Sequence, residues 1–275
     1  MIIIGNSLEK LKELNSNSVQ CIVTSPPYWG LRDYDNSEQL GQEDTPEKFV
    51  SNLSDIFDEC KRVLKDDGTA WVNIGDTYFG AKGGAWVGEN SITTEDTGSE
   101  YRIKKKAPPK HIYLKTKDLV GVPWKFAIEM QKRGWYLRQD IIWHKPVPMP
   151  ESVNDRLQKS HEHIFLFSKK KNYYFDAMAI ARPSIDGDRL VRLQDVWNIP
   201  TSNYQGAHFA VFPEKLPELC IKAGTKEGDT VLDPFMGSGT TAYVSQRLSR
   251  KWIGIELNPE YVKIIKERTA QASLF

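Results

Sequence analysis

Two short stretches of this 275-residue chain carry residues whose types and spacing can do chemistry. The first is Val231-Leu-Asp-Pro-Phe-Met-Gly-Ser-Gly-Thr-Thr241, where an apolar pair ends in an acid, a Gly-x-Gly turn follows, and Tyr243, Val244 and Leu248 keep helical spacing. It reads as strand, tight turn and helix. Gly237 and Gly239 permit positive φ and close backbone approach to a ligand, and the helix start offers free N–H groups. No Lys follows Gly239, so the phosphate-cradling P-loop pattern is absent. A second acid, Glu256, ends the short strand Trp252-Ile-Gly-Ile-Glu256 about 20 residues past the turn, where a nucleotide fold places its ribose-binding carboxylate. A nucleoside without a pyrophosphate suits these features best. The second stretch is Thr24-Ser-Pro-Pro-Tyr-Trp29, at the carboxyl end of a strand over 19–23. Its two prolines fix φ and remove two donors, leaving the Ser25 and Pro26 carbonyls as rigid acceptors beside an aromatic pair.

Asp233-Pro-Phe-Met-Gly-Ser-Gly-Thr-Thr241 resembles the S-adenosylmethionine motif of DNA amino-methyltransferases, and Thr24-Ser-Pro-Pro-Tyr-Trp29 resembles their catalytic motif. The catalytic motif comes first, an order similar to that of the circularly permuted beta class, and the resemblance runs over about residues 2–268. It implies an α/β, Rossmann-like methyltransferase fold with a doubly wound, mostly parallel sheet, circularly permuted, in a single catalytic domain over 1–275. It implies S-adenosyl-L-methionine as cofactor, bound by Asp233, Pro234, Phe235, Gly237, Gly239, Thr240 and Glu256, with Phe212 packing near the methionine end. In the family an Asp that helps bind adenine usually follows the glycine after the first strand. Here Asn6 stands in that place, and a simple turn residue is as good a reading of it.

The resemblance further implies methyl transfer to the exocyclic amine of a base flipped out of double-stranded DNA. Such an amine is a poor nucleophile because its lone pair is conjugated into the ring. With Ser25 Oγ and the Pro26 carbonyl accepting its two N–H groups, the nitrogen can rehybridise and aim that lone pair at a sulfonium methyl. Pro27 stiffens the loop, and Tyr28 is expected to stack on the base. Serine before Pro-Pro resembles the cytosine-N4 enzymes, whereas an acid or Asn resembles the adenine-N6 enzymes. N4 of cytosine is therefore the expected target, with adenine N6 the alternative. None of Cys21, Cys60 and Cys220 follows a proline, which argues against a cytosine-C5 enzyme, and the zinc-deaminase pattern is missing. Protein and RNA amino-methyltransferases with a similar loop usually run cofactor motif first, and an inactive DNA-binding subunit has no need of both motifs intact. A separately encoded restriction endonuclease is a partner the resemblance admits.

The elements that must position these residues follow from composition and periodicity. Net charge is +1, which gives no general attraction to nucleic acid, so DNA contact must rest on local basic patches. The three widely spaced cysteines read as buried thiols, and no disulfide or metal site is expected. No apolar run approaches membrane-span length and no signal-peptide pattern opens the chain, so a cytoplasmic protein without membrane contact is expected. After a first short strand, Ser7 is the expected N-cap of a helix with Leu8, Leu11 and Leu14 inward. Thr45-Pro46 opens a helix that Asp67-Gly68 stops, 69–74 is a buried strand, and Asp76 reads as a turn cap. Residues 79–117 read as a basic insertion outside the core, with Lys104, Lys105 and Lys106 as DNA-backbone contacts and Arg32, in the loop after Gly30, as another. Asp118 is expected to cap a helix with Leu119, Val122, Phe126, Ile128 and Met130 as its apolar positions. Two strands, 135–143 and 163–167, flank a proline-rich loop, and His161 and His163 share a strand face with no third ligand. The interval 172–206, with Arg189 and Arg192, falls where the family keeps its target-recognition region. Helices over 213–223 and 259–265 close the chain.

Overall fold

The computed structural model describes residues 1–31, 38–80, 110–201 and 212–272. In chain order its elements are β1 (Ile2–Ile4), α1 (Ser7–Lys12), β2 (Val19–Thr24), α2 (Pro46–Val63), β3 (Leu64–Ile74), α3 (Val122–Lys132), β4 (Tyr136–His144) and β5 (His161–Ser168). They continue with β6 (Arg182–Pro183), β7 (Leu190–Val191), β8 (Val196–Asn198), α4 (Lys215–Gly224), β9 (Thr230–Asp233), α5 (Thr240–Arg247), β10 (Lys251–Glu256) and α6 (Tyr261–Ala272). One sheet has the order β1-β10-β9-β2-β3-β5-β4-β8, while β6 and β7 form a separate hairpin. Pairing in the sheet is parallel except at β5, which runs against both β3 and β4. Every residue of β2 is buried, as a central parallel strand requires. Helices α1, α2 and α3 supply Leu11, Phe49, Leu53, Phe57, Phe126 and Met130 to one core. Helices α4 and α5 supply Leu216, Cys220, Ile221 and Val244 to a second.

The order of strands reverses between β9 and β2. From β9 the chain passes through α5 to β10 on one side, and from β2 through α2 to β3 on the other. Open α/β sheets bind their ligands at such a switch point, and the two chemical stretches sit at the carboxyl ends of these two neighbouring strands. Beyond β10 lies β1, with Ile3 opposite Ile255. The Met1 amino group donates to the Trp252 carbonyl at 2.7 Å, and Gly5 N–H to the Glu256 carbonyl at 2.9 Å. Ser7 Oγ reaches the Pro234 carbonyl at 2.6 Å. The sheet is thus continuous across the chain ends, which is the permuted topology expected.

Several local expectations are corrected. Asn6, not Ser7, caps α1: its backbone is extended and its Oδ1 accepts the Leu8 N–H at 3.0 Å. Helix α3 begins at Val122, behind a left-handed Gly121, and Asp118 lies outside it, accepting the Lys115 N–H at 2.8 Å instead. The cap comes from Asp76, whose carboxylate accepts from Gly121 at 2.9 Å, Val122 at 3.0 Å and Thr77 at 2.9 Å. Leu119 and Ile128 are half exposed rather than core. Asp67-Gly68 does not separate helix from strand, because α2 passes directly into β3 at Leu64 and the pair lies within the strand, where its register with β2 shifts. A Cβ at Gly68 would come within 2.8 Å of the Gln20 carbonyl, so this bulge needs glycine. The ends of the basic insertion belong to the core, since Phe79 and Leu114 are buried and Tyr78 bridges Leu119. Lys104, Lys105, Lys106 and Arg32 lie outside the described residues.

Replacing the cap should be felt as stability alone. Asp76→Ala is expected to cost about 1–2 kcal/mol, read as a lower urea midpoint at unchanged cofactor affinity by calorimetry.

Candidate active site

Asp233 ends β9 and is buried, and every bond it makes organises the site. Its Oδ1 accepts from Thr24 Oγ1 at 2.6 Å and from the Phe235 N–H at 3.0 Å, and its Oδ2 accepts from Thr241 Oγ1 at 2.7 Å. Thr24 immediately precedes Ser25, and Thr241 lies in the first turn of α5. One carboxylate therefore ties the Ser-Pro-Pro-Tyr stretch to the glycine turn. Burial pushes its pKa up to about 6, against the hydrogen bonds from Thr24, Thr241 and Phe235, with the Glu256 charge adding to the rise. Both oxygens are engaged within the protein, so Asp233 shapes a ligand site by what it holds.

The turn itself needs its glycines. Gly237 and Gly239 have φ of +51° and +82°, and a Cβ at Gly239 would stand 3.1 Å from Ile265. Gly239 starts α5 without any side-chain cap. Gly254, on β10, leaves room for Met236, whose Cε would lie 2.1 Å from an added Cβ. Arg268, on α6, donates to the Ser238 carbonyl at 3.3 Å, Ser238 Oγ at 3.1 Å and Thr240 Oγ1 at 3.0 Å, so the Thr240 hydroxyl is held inside the protein. Glu256 accepts from the Gly237 N–H at 2.7 Å and the Asn258 N–H at 2.8 Å, and burial raises its pKa against those backbone bonds. Asn6, Glu256, the Asp233–Gly239 turn and Ser25 thus follow four adjacent strands, β1, β10, β9 and β2, at one edge. Pro234 is fixed by Ser7, and Phe235 packs against the larger core. Phe212 faces the other core and, with Thr24, Trp71 and Asn73, lines a small cavity beside the catalytic stretch.

Pro26 is buried, and Tyr28 is held from three directions. Its ring lies against Gly75, where a Cβ would be 2.6 Å from Cε2, and its carbonyl lies against Gly41, where a Cβ would be 2.8 Å away. Its hydroxyl donates to Glu162 Oε2 at 2.6 Å, with Asn73 Oδ1 at 3.3 Å. Asn73 Nδ2 also donates to Glu162 Oε2 at 3.1 Å, and the Lys145 ammonium donates to Glu162 Oε1. Burial pushes the Glu162 carboxyl up, but the Lys145 charge and the bonds from Lys145, Tyr28 and Asn73 outweigh it and hold it below the usual carboxylate range. Burial and the neighbouring Glu162 charge raise the Tyr28 hydroxyl well above its ordinary value, so Tyr28 remains a neutral phenol. Asn73, Lys145 and Glu162 were not singled out from sequence. The available signal was a polar residue inside a strand that is otherwise apolar. In His161-Glu-His163 the middle residue faces the site, while His163 Nδ1 meets Asp140 at 2.9 Å; no metal-binding group of three ligands occurs among the described residues.

Strands β3, β4 and β8 end at the same edge as β2. The loop after β4 is fixed by Lys159 Nζ on the Asp76 carbonyl at 2.8 Å, Arg156 over the Tyr78 ring at 4.1 Å and the Lys117–Asp155 pair at 2.7 Å. The interval 172–206 starts elsewhere. Because β5 runs antiparallel, it ends at the opposite edge, where Tyr174 N–H binds the Asp67 carbonyl and Asp176 N–H the Ala223 carbonyl. Arg189 and Arg192 lie at and just beyond the β6–β7 hairpin, and no hydrogen bond or ion pair of the described residues links their side chains to the catalytic stretch.

A permuted α/β sheet with an acid-glycine turn at its switch point and a Ser-Pro-Pro-Tyr loop beside it is the architecture of a nucleoside-dependent methyltransferase. Residues 19–267 match the DNA methylase family N6_N4_Mtase, and the chain belongs to that family. It is similar to the type II methyltransferase M.SmaI of Serratia marcescens, with 49% identity over 269 residues, 97% of this chain and 89% of the relative. It is also similar to M.Cfr9I of Citrobacter freundii, with 49% identity over 264 residues, 96% of this chain and 85% of the relative. Among solved structures, the PvuII DNA methyltransferase, described as cytosine-N4-specific, superposes with a TM-score of 0.71 at 25% identity, covering 99% of this chain and 89% of that one. The protein is a site-specific DNA amino-methyltransferase that uses S-adenosyl-L-methionine.

The buried Asp233 makes a signed prediction. Its folded pKa lies above its unfolded value, so the stability it contributes is present below about pH 4 and is lost as pH rises through about 6. Measured by urea unfolding, wild type should lose on the order of 2 kcal/mol relative to Asp233→Asn between these pH values. Parallel pH profiles for the two proteins would contradict this.

Proposed function

We propose that the protein methylates the N4 amine of cytosine in a base flipped from double-stranded DNA, with Ser25, Pro26, Pro27 and Tyr28 as the catalytic loop. The observation that carries this reading is the rigid attachment of a neutral acceptor, Ser25, to the cofactor turn through the Thr24–Asp233 bond of 2.6 Å. S-adenosyl-L-methionine supplies an electrophilic sulfonium methyl. Ser25 Oγ and the Pro26 carbonyl would accept the two amine N–H groups, so that the nitrogen lone pair leaves conjugation and forms the N–C bond in line as the methyl–sulfur bond breaks, its electron pair staying on sulfur as a neutral thioether. The methylated nitrogen then loses one proton to solvent, which restores a neutral amine. Tyr28, a neutral phenol, stacks on the base and takes no proton. Glu256, whose oxygens each already accept one backbone N–H, would use its remaining lone pairs for the ribose hydroxyls, Asn6 would stand on the adenine side, and the 234–240 turn with Phe212 and Phe235 would hold the rest of the cofactor. The cytosine-N4 description of the PvuII relative supports the choice of base, and the type II methyltransferase relatives support a restriction-modification setting; a cytoplasmic location and a separately encoded cognate endonuclease are part of the same proposal.

Digesting DNA methylated by the protein to nucleosides and separating them by mass should show N4-methylcytosine. N6-methyladenine without N4-methylcytosine would overturn the base while leaving the enzyme class intact. Ser25→Ala is expected to abolish the product at preserved cofactor binding. Glu256→Ala should weaken S-adenosyl-L-methionine by roughly 1.5–3 kcal/mol through lost charge-assisted bonds. Calorimetry on a protein with an unaltered thermal transition measures this, and equal affinity would remove Glu256 from the cofactor site.

A further inference from the structure

We infer that Glu162 is a positioning residue for methyl transfer: braced by Asn73 and Lys145, it anchors the Tyr28 hydroxyl and so fixes the plane of the ring against which the target base stacks. This rests on the reading of Tyr28 as the base platform. Two prolines stiffen the backbone before Tyr28, but they leave its own χ1 and χ2 free to change rotamer. Two contacts remove that freedom. Gly75 bears on the ring edge, with room for no Cβ, and Glu162 takes the hydroxyl at 2.6 Å. A ring held at its edge and at its far oxygen has one plane.

The brace is itself stiff. Glu162 sits on β5 opposite Trp143 of β4, and Asn73 sits on the neighbouring β3, so both reach Tyr28 from strands rather than from loops. Asn73 Nδ2 also donates to the His163 carbonyl at 3.2 Å, which fixes its amide. Lys145 lies 4.5 Å over the Trp143 ring while it donates to Glu162. A largely buried acid–lysine pair adds little stability over apolar side chains of the same volume. Its place directly beneath the catalytic loop therefore calls for a role in that loop.

The test is a double-mutant cycle on full-length protein, read by single-turnover methyl transfer at saturating cofactor and DNA, with cofactor affinity measured alongside. Glu162→Gln replaces a charged acceptor by a neutral one and should slow transfer about five- to tenfold, as expected when a charge-assisted hydrogen bond is weakened to a neutral one. Cofactor affinity should stay unchanged. Tyr28→Phe should slow transfer at least as much, since it also removes the hydroxyl's bond with Ser25, and adding Glu162→Gln to it should slow it no further, because Glu162 acts only through that hydroxyl. Additive effects, or full activity in Glu162→Gln, would overturn the inference. Should Glu162→Gln fold poorly, the charge-free pair Lys145→Met with Glu162→Gln serves in its place, with the same expected non-additivity against Tyr28→Phe. Tyr28→Ala separates the two levels: full activity there would sink the platform reading itself, whereas loss of activity there with an unaffected Glu162→Gln sinks only the role of Glu162.

Discussion

The site depends on one buried carboxylate. Asp233 has three neutral donors, Thr24, Thr241 and the Phe235 N–H, drawn from a strand, a helix and its own turn. Each is weak alone, but together they fix three backbones relative to one another. The bond to Thr24 spans 209 residues of sequence, so the Ser-Pro-Pro-Tyr loop and the acid-glycine turn are registered by a contact of 2.6 Å rather than by chain connectivity. Backbone pairing of β2 with β9 stops at Ile22 and Leu232, two residues short of Thr24 and one short of Asp233. Beyond that point a side-chain bond continues the register that the ladder no longer enforces.

This explains why the order of motifs along the chain is physically free. β1 pairs with β10, and Met1, Gly5 and Ser7 bond to residues in β10 and just after β9. Cutting a doubly wound sheet between β10 and β1 moves no strand from its neighbours. What must survive is the adjacency of β9 and β2, where the sheet changes direction and leaves a crevice. Permutation changes which motif is read first and leaves the crevice as it was.

What was legible in the sequence follows the same line. The acid-glycine turn and the Ser-Pro-Pro-Tyr loop are contiguous, and their chemistry lies in the backbone conformations that Gly and Pro impose, so residue type and spacing suffice to find them. The buried helix α2 was legible because Phe49, Leu53, Phe57 and Cys60 repeat with the helical period and Thr45-Pro46 marks its start. Asp76 was read only as a local turn residue, since nothing at position 76 shows that a helix starting at 122 will bring its bare N–H groups there. The Tyr28 brace was hidden for the same reason, its partners lying 45 and 134 residues away. Ser7 and Asp118 were misjudged as caps because either type can serve, and the local backbone conformation decides.

The buried acids of the site divide by the kind of partner they have. Glu162 is balanced by the Lys145 ammonium, which keeps it ionised below the usual range. Asp233 and Glu256 are met by hydroxyl and backbone N–H donors, and burial raises both. A carboxylate paired with a cation presents little net field, so the use left to it is geometric: it holds Tyr28 in place. Two carboxylates satisfied by neutral dipoles keep their charge when ionised, and the low dielectric around them carries that charge into the crevice. The sheet edge therefore carries its uncompensated acids at the ends of β9 and β10, while the acid that holds the Tyr28 hydroxyl is matched by a cation.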